Sequence, residues 1–351
     1  MTNDEGAGAR AYRSAGVNLE AAARAVGLIS EVARNASRPE VSVGVGGFAG
    51  LFRLDDGRYL AAATDGVGTK LEVARLAGKL GTLGIDLVAM SANDVVCTGA
   101  APILFLDYLA MAKIVPEEVA AIVAGVAEGC RRAGCALLGG ETSEHPGTLA
   151  AGRFDLAGFC VGLAEEHELF DPSRARPGDV LIGLRSTGLH ANGFSLVRKT
   201  LLDQPGDLTE HVPALGRTLA EELLEPTAVY VGAVLALRGE GLVTSAAHIT
   251  GGGFQENIPR ALPTGLAAVI DVSAWTPQPI FGLVAGAAGL RSLDLFPVLN
   301  MGVGMALVVP RDRGEECLAG ARDAGETEAA TIGEVVEGSG VRLAGRQGER
   351  A

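Results

Sequence analysis

The sequence predicts an α/β protein of the α+β type, built as two mixed α/β domains. Three observations carry this. Apolar runs bounded by turn residues alternate with helix-period patterns in both halves of the chain. A charged, proline-bearing stretch, EEHELFDPSRARPG at 165–178, reads as a connection between them. The 351 residues exceed what one ordinary core holds. The predicted bounds are 13–168 for the first domain and 169–342 for the second, with mobile ends at 1–12 and 343–351.

Taken in order, the segment 1–12 is small and polar. FRLDDGRYL at 52–60, with Asp56-Gly57 at its turn, predicts an antiparallel hairpin, so the sheet is not purely parallel. A strand at 59–64 runs into a glycine loop, and 103–111 reads as a buried strand. Pro116, Glu117 and Glu118 open a helix with apolar positions at Val119, Ile122, Val123, Val126 and Cys130, and Gly134 closes it. Strands follow at 136–138, 154–162 and 179–184, then a helix over 192–201, a polar loop at 203–217 and a helix over 228–238. Strands at 267–271 and 305–309 complete the reading.

Composition excludes several classes. Hydrophobic residues at 48% and charged residues at 20% rule out a disordered chain, and the clustered, aperiodic glycine (50 residues) rules out collagen. A net charge of −13 repels phosphate polyelectrolytes, so neither nucleic acid nor an anionic membrane is an expected partner. No apolar stretch is long enough to span a bilayer, and the first residues lack an apolar signal core. Cys97, Cys130, Cys135, Cys160 and Cys317 are odd in number with no C-x-x-C, which predicts reduced thiols in a cytoplasmic protein.

Five segments carry candidate chemistry. In TDGVGTK, Gly66 and Gly68 let backbone amides approach an anion, Thr69 and Lys70 add a hydroxyl and a charge, and Asp65 can hold a hard cation. The spacing is not that of a Walker loop, and a plain turn with an exposed lysine is the alternative. In GIDLVAMSANDVVCTGA (84–100), Asp86 and Asn93 lie within about 20° on a helix and Asp94 about 80° further round. They are paired or metal-bound, or they form an exposed polar face. Asp107, inside the apolar strand ILFLDYL, needs a cation or donor beside it. In LLGGETSEHPG (137–147), a strand ending at Gly139-Gly140 delivers Glu141 and Glu144, while His145 reads as a loop residue. Asp65, Asp94 and Glu141, at element ends far apart in sequence, suit an oxygen-ligand magnesium site.

In STGLHANGFS (186–195), His190 is a candidate acid or base, and Asn192 and Ser195 candidate phosphate ligands at a helix start; no G-x-S-x-G elbow supports a hydrolase. In HITGGGFQEN, Gly251, Gly252 and Gly253 with Asn257 form a second possible anion cradle or a tight loop. GVGGFA at 44–49 matches G-x-G-x-x-A, but a hairpin follows it instead of a helix, so no nicotinamide site is expected.

The ordered set GVGGFAG (44–50), TDGVGTK (64–70), GIDLVAMSANDVV (84–96), GCALLGGETSEHPG (134–147), FDLAGFCVG (154–162), HANGFSLVRK (190–199), HITGGGFQENIPR (248–260) and MGVGM (301–305) resembles the phosphoribosylformylglycinamidine cyclo-ligase family over about residues 12–340. His145 and Gln255 depart from the pattern, standing where Met and Trp are common. The resemblance implies N-terminal sheets pairing across a homodimer interface, ATP and Mg²⁺, and conversion of formylglycinamidine ribonucleotide to 5-aminoimidazole ribonucleotide, ADP and phosphate through an imidate phosphate. It further implies Asp65, Asp94 and Glu141 as metal ligands, and Gly46, Gly47, Gly66, Gly68, Thr69, Lys70, Asn93, Gly139 and Gly140 at ATP. His190, Asn192, Ser195, Gly251, Gly252, Gly253 and Asn257 are implied at the substrate, and His190, Asp107 and Lys70 in catalysis. Another ATP-dependent phosphoryl-transfer enzyme of the same superfamily, or a silent dimeric scaffold, are the competing readings.

Overall fold

The structure, a computed structural model, describes residues 6–202 and 207–345. Two six-stranded sheets form the two domains. The first contains β1 (Val41–Val43), β2 (Gly50–Arg53), β3 (Tyr59–Gly66), β4 (Ala101–Met111), β5 (Ala136–Glu144) and β6 (Phe154–Ala164), in the order β1-β2-β3-β6-β4-β5. Only β4 and β5 run parallel; the other pairs are antiparallel, including the predicted β2–β3 hairpin. The second domain begins with β7 (Val180–Arg185). A two-residue hairpin, β8 (His211–Val212) and β9 (Arg217–Thr218), follows, and then β10 (Ser245–His248), β11 (Leu266–Asp271), β12 (Val303–Val309), β13 (Ala330–Glu337) and β14 (Val341–Ala344). Its order is β10-β12-β7-β13-β11-β14.

The helices are α1 (Ala7–Ser14), α2 (Leu19–Ala33), α3 (Lys70–Ala77), α4 (Leu83–Val96), α5 (Pro116–Ala133), α6 (Phe194–Leu201), α7 (Leu219–Leu223), α8 (Val231–Gly239), α9 (Gly253–Asn257), α10 (Pro279–Ala288) and α11 (Gly314–Asp323). α5 forms as its sequence dictates. Proline sits in its first turn beside Glu117 and Glu118, where the helix dipole favours acids, and Gly134 closes it in the left-handed conformation at φ 69°. α4 and α5 cover one face of the first sheet. Gly84 and Gly125 let them close up, since a Cβ on either would stand about 2 Å from the opposing backbone.

Every residue of α4 except Asp94 is buried, because the first sheet lies on one side and the second domain, through α8, on the other. The polar residues of this helix therefore do not form an exposed face. The opposite face of the first sheet is left uncovered by the described residues of the single chain and carries Leu138 (66% exposed), Phe159 (43%) and the half-buried Leu106, Tyr108 and Val161.

Several expectations are corrected. The segment 1–12 is not mobile throughout: from Ala7 it is helical, and Tyr12 is buried. Residues 343–344 belong to β14, while 346–351, 1–5 and 203–206 lie outside the described residues. The strand at 136–138 continues through Gly139-Gly140 to Glu144. All five cysteines are free, four buried and Cys135 half-buried.

Candidate active site

Three loops from the two domains meet at the end of β3. Thr69 Oγ1, just before α3, lies 3.2 Å from Ser195 Oγ at the start of α6. Gly68, held at φ +53°, faces the Ala191 carbonyl, within contact distance of where a Cβ would stand at 3.5 Å. Gly251 stands equally close to Asn192 Oδ1. TDGVGTK (64–70), HANGFS (190–195) and HITGGG (248–253), far apart in sequence, thus form one wall.

Two carboxylates face that wall. Asp65 Oδ1 accepts the Gly66 N–H at 2.7 Å, and Asp94 Oδ1 lies 2.9 Å from Nδ1 of the fully buried His248. Burial, then the neighbouring Asp94 charge, push Asp65 up to about 6. Two partly buried acids repelling each other at one place fit a hard divalent ion, which for magnesium needs only one or two protein carboxylates when phosphate and water supply the rest.

Glu141 does not join them. Gly140 pairs with Asp107, so by the alternation of a strand Glu141 points to the uncovered face, and β6 and β4 stand between it and β3. No cluster of three metal-ligating side chains occurs among the described residues. Gly139 and Gly140 are strand interior, and Gly140 is bare because a Cβ would coincide with the Asp107 carboxylate. Asp107 itself is buried with Oδ2 unpartnered, and desolvation raises its pKa above the ordinary carboxyl value. His145 is the loop residue expected, sharing a 3.0 Å hydrogen bond with Tyr108.

Lys70 is the clearest departure from the sequence reading. Its side chain is fully buried and its ammonium donates to Asp86 Oδ1 (2.9 Å), the His190 carbonyl (3.0 Å) and the Glu225 carbonyl (2.7 Å), with the Phe194 ring 5.6 Å away. All three of its protons are spent. Asp86 Oδ1 also accepts from Thr227 N (2.8 Å) and Thr227 Oγ1 (2.6 Å). Burial pushes Lys70 down and Asp86 up, each held back by the other. Lys70 is therefore a bolt between domains and is not presented to a nucleotide. Asn93 is likewise committed: its amide donates to the Ala228 carbonyl (2.9 Å) and its oxygen accepts Tyr230 N–H (2.9 Å).

His190 sits beside this bolt at φ 62°. Its Nε2 accepts the Thr187 and Ala228 amides at 3.2 and 3.4 Å, so the ring proton is on Nδ1, which is buried without a partner. Burial, and after it the nearby His248 and Lys70, hold it well below the usual histidine range, so it is neutral. Asn257, also buried, shapes the glycine loop by donating to the Gly251 (3.1 Å) and Gly253 (2.8 Å) carbonyls. α9, which follows, is a single short turn. Gly46 and Gly47 lie in the exposed part, 44–47, of the 44–50 loop, tied to the second domain by Arg260, whose Nη2 donates to the Gly47 carbonyl at 2.6 Å. His248 and Arg260 were assigned no role from the sequence; nothing local to either marks it, because Asp94, the partner of His248, and Gly47 and Phe48, partners of Arg260, lie in the other domain.

Known proteins extend this picture. A family described as AIR synthase related protein, N-terminal domain, matches residues 46–164, and AIR synthase related protein, C-terminal domain, matches 176–346. The chain is 49% identical over 333 residues to the phosphoribosylformylglycinamidine cyclo-ligase of Brevibacillus brevis, covering 93% of this chain and 96% of that one. It is 48% identical over 334 residues to the protein of that name from Myxococcus xanthus, covering 94% and 96%. Among solved structures, one of a HypE–HypF complex aligns with TM-score 0.68 at 20% identity, over 92% of this chain and 97% of that one. AaThiL complexed with AMPPCP and TMP aligns with TM-score 0.64 at 17% identity, over 92% and 94%. Likeness at these identities is one of fold.

Proposed function

Because the chain belongs to the phosphoribosylformylglycinamidine cyclo-ligase family, and so is a ligase of purine biosynthesis that closes a ring at the expense of ATP, we propose that the wall at the end of β3 is its active site. The observation that carries this is the meeting of Thr69 with Ser195 at 3.2 Å beside Asp65 and Asp94, which unites both domains at one carboxylate pair.

On this reading the domain at 13–168 carries the nucleotide and the domain at 169–342 the second substrate. Gly66, Gly68 and Thr69 line the polyphosphate, and the 44–50 loop, with Gly46 and Gly47, covers it. Asp65 and Asp94 would hold Mg²⁺, which supplies charge neutralisation for the transferring phosphoryl group. Formylglycinamidine ribonucleotide takes the side formed by Asn192, Ser195 and the Gly251–Gly253 loop, with Asn257 fixing that loop from behind.

The chemistry asks for alignment more than for covalent help. A formamide oxygen leaves poorly; once it accepts the γ-phosphoryl group as an imidate phosphate, the amidine nitrogen attacks the carbon and phosphate departs, giving 5-aminoimidazole ribonucleotide. His190, neutral and holding its proton on Nδ1, serves as a hydrogen-bond donor to the substrate and not as the base: taking up a second proton in that buried place is what its surroundings oppose.

The uncovered sheet face is covered by a second copy. An apolar face around Leu138 and Phe159 is too large a loss to leave in water, and pairing there turns Glu141 and the edge of β5 toward the partner. Glu141 then serves the partner's site, not its own. A cytoplasmic location accords with the free thiols. Among the described residues no helix is long and apolar enough to cross a membrane.

A coupled assay tests the reading. Aminoimidazole product should appear with ADP in equal amounts when formylglycinamidine ribonucleotide is supplied. ADP release on thiamine phosphate or selenide instead, with none on the amidine, refutes it.

A further inference from the structure

Two glycine-rich loops, one in each domain, are joined through a single pair of side chains. The 44–50 loop is exposed over residues 44–47 and depends on glycine: Gly46 has φ +113°, and a Cβ on Gly47 would meet the Val43 side chain at 2.8 Å. Its holds on the second domain include Arg260. The guanidinium donates through Nη2 to the Gly47 carbonyl at 2.6 Å and lies 3.8 Å from the centre of the Phe48 ring. Through Nη1 it donates to Asn257 Oδ1 at 3.2 Å. Asn257 is saturated: its amide holds Gly251 and Gly253, and its oxygen accepts from Thr250 Oγ1 as well as from Arg260.

A saturated buried amide cannot rotate or shift without breaking bonds that nothing nearby replaces. Any displacement of the 250–253 loop by a ligand therefore moves the Arg260 anchor, and with it the 44–50 loop. The converse also holds, since coupling between two sites is reciprocal. Arg260 itself is exposed and carries further N–H donors beyond the two described, so it can change partners at little cost.

We propose that Arg260 is a positioning residue that couples the two substrates: it ties closure of the 44–50 loop over the nucleotide to occupancy of the 250–253 loop. This rests on the assignment of those loops to ATP and to the amidine ribonucleotide. Its result is that the nucleotide is gripped fully only when the second substrate is present, which limits idle hydrolysis of ATP.

The test is calorimetric binding of a non-hydrolysable ATP analogue to the full-length enzyme, with and without formylglycinamidine ribonucleotide. In the wild type the amidine should tighten analogue binding about tenfold, a size typical of coupled sites. In Arg260→Gln that factor should fall to nearly one, while the affinity for each ligand alone stays within about twofold and the melting temperature is unchanged. Arg260→Lys keeps the charge but not the fork, and should also lose the coupling. Phe48→Leu, which removes only the stacking face, should lose part of it and provides the measurement if Arg260→Gln does not fold.

Coupling retained in Arg260→Gln, or in Phe48→Leu where that variant is the readout, overturns the proposal. So does a wild type without coupling, or full rescue by lysine, which would make the effect one of charge alone. These outcomes are separate from failure of the functional reading, which shows as wild-type enzyme that makes no aminoimidazole product.

Discussion

The Lys70–Asp86 bolt makes a prediction that separates two roles for the lysine. Lys70→Met removes the ammonium and keeps the apolar stem. Three acceptors lose their donor: Asp86 Oδ1, and the carbonyls of His190 and Glu225. The Asp86 carboxylate keeps only the two Thr227 donors and has no counter-charge in a place where its side chain is wholly buried. Breaking a buried pair from one side costs about 3–5 kcal/mol, and each orphaned carbonyl adds about 1 kcal/mol or more. A loss of about 5–7 kcal/mol is expected.

The assay is equilibrium urea denaturation followed by far-ultraviolet circular dichroism and by the single tryptophan, Trp275, which reports on the second domain. Since the bolt joins α3 and α4 to the His190 and Glu225 carbonyls, the two signals should separate in the variant and coincide in the wild type. Asp86→Asn combined with Lys70→Met should recover about 2 kcal/mol or more as coupling energy. The deficit should also shrink in acid. Burial already raises Asp86 above its unfolded value, and losing Lys70 raises it further, so the stability of the variant is greatest below the unfolded value and drains as pH rises. Lys70→Met with wild-type stability and abolished nucleotide binding would falsify the bolt and restore the lysine to the phosphates.

Three further outcomes are expected. Asp65→Asn and Asp94→Asn should each lose nearly all turnover at limiting magnesium while folding normally; wild-type rates in either, measured by product formation, remove them from the metal. Mixing Asp65→Asn subunits with Glu141→Gln subunits should recover about half of the wild-type activity per mixed dimer, because one of its two sites is then intact; no recovery on titrating one variant with the other means that Glu141 serves its own chain. Burial alone pushes Glu326 up to about 7, above the ordinary 4.5. Its contribution is full in acid and is lost as pH rises through that value, so Glu326→Gln should gain about 2–4 °C in melting temperature near pH 8.5 and nothing near pH 4.5.

What the sequence disclosed follows physical range. α5 was legible end to end because proline, acids and the closing glycine act within one turn of where they stand. The hairpin at 52–60 was legible because Asp56-Gly57 fixes its own turn. Lys70 was not. A lysine after a glycine loop looks the same whether it faces solvent or a carboxylate, and two of its three partners lie 120 and 155 positions away. For Asp86 and Asn93 the sequence posed the right question, since acids and amides on an apolar helix must be paired; that the partners were Thr227, Ala228 and Tyr230 depended on how the domains pack. Glu141 was grouped with Asp65 and Asp94 because all three end apolar segments. Its exclusion turns on sheet order, with β6 inserted between β3 and β4, which no local pattern records.

The first helix has a consequence for how the polypeptide is made. α1 is the earliest described element to leave the ribosome, yet it docks on late parts of the chain. Gly8 lies against the Asp294 carbonyl, so closely that a Cβ would overlap it, and the Ser14 carbonyl accepts from Lys199 Nζ at 2.8 Å. While the first sheet and α4 can assemble during synthesis, α1 waits for nearly three hundred residues to emerge before its seat exists. A nascent chain halted after the first domain should therefore expose α1 to protease, and protection of Tyr12 should arrive only with completion of the second domain.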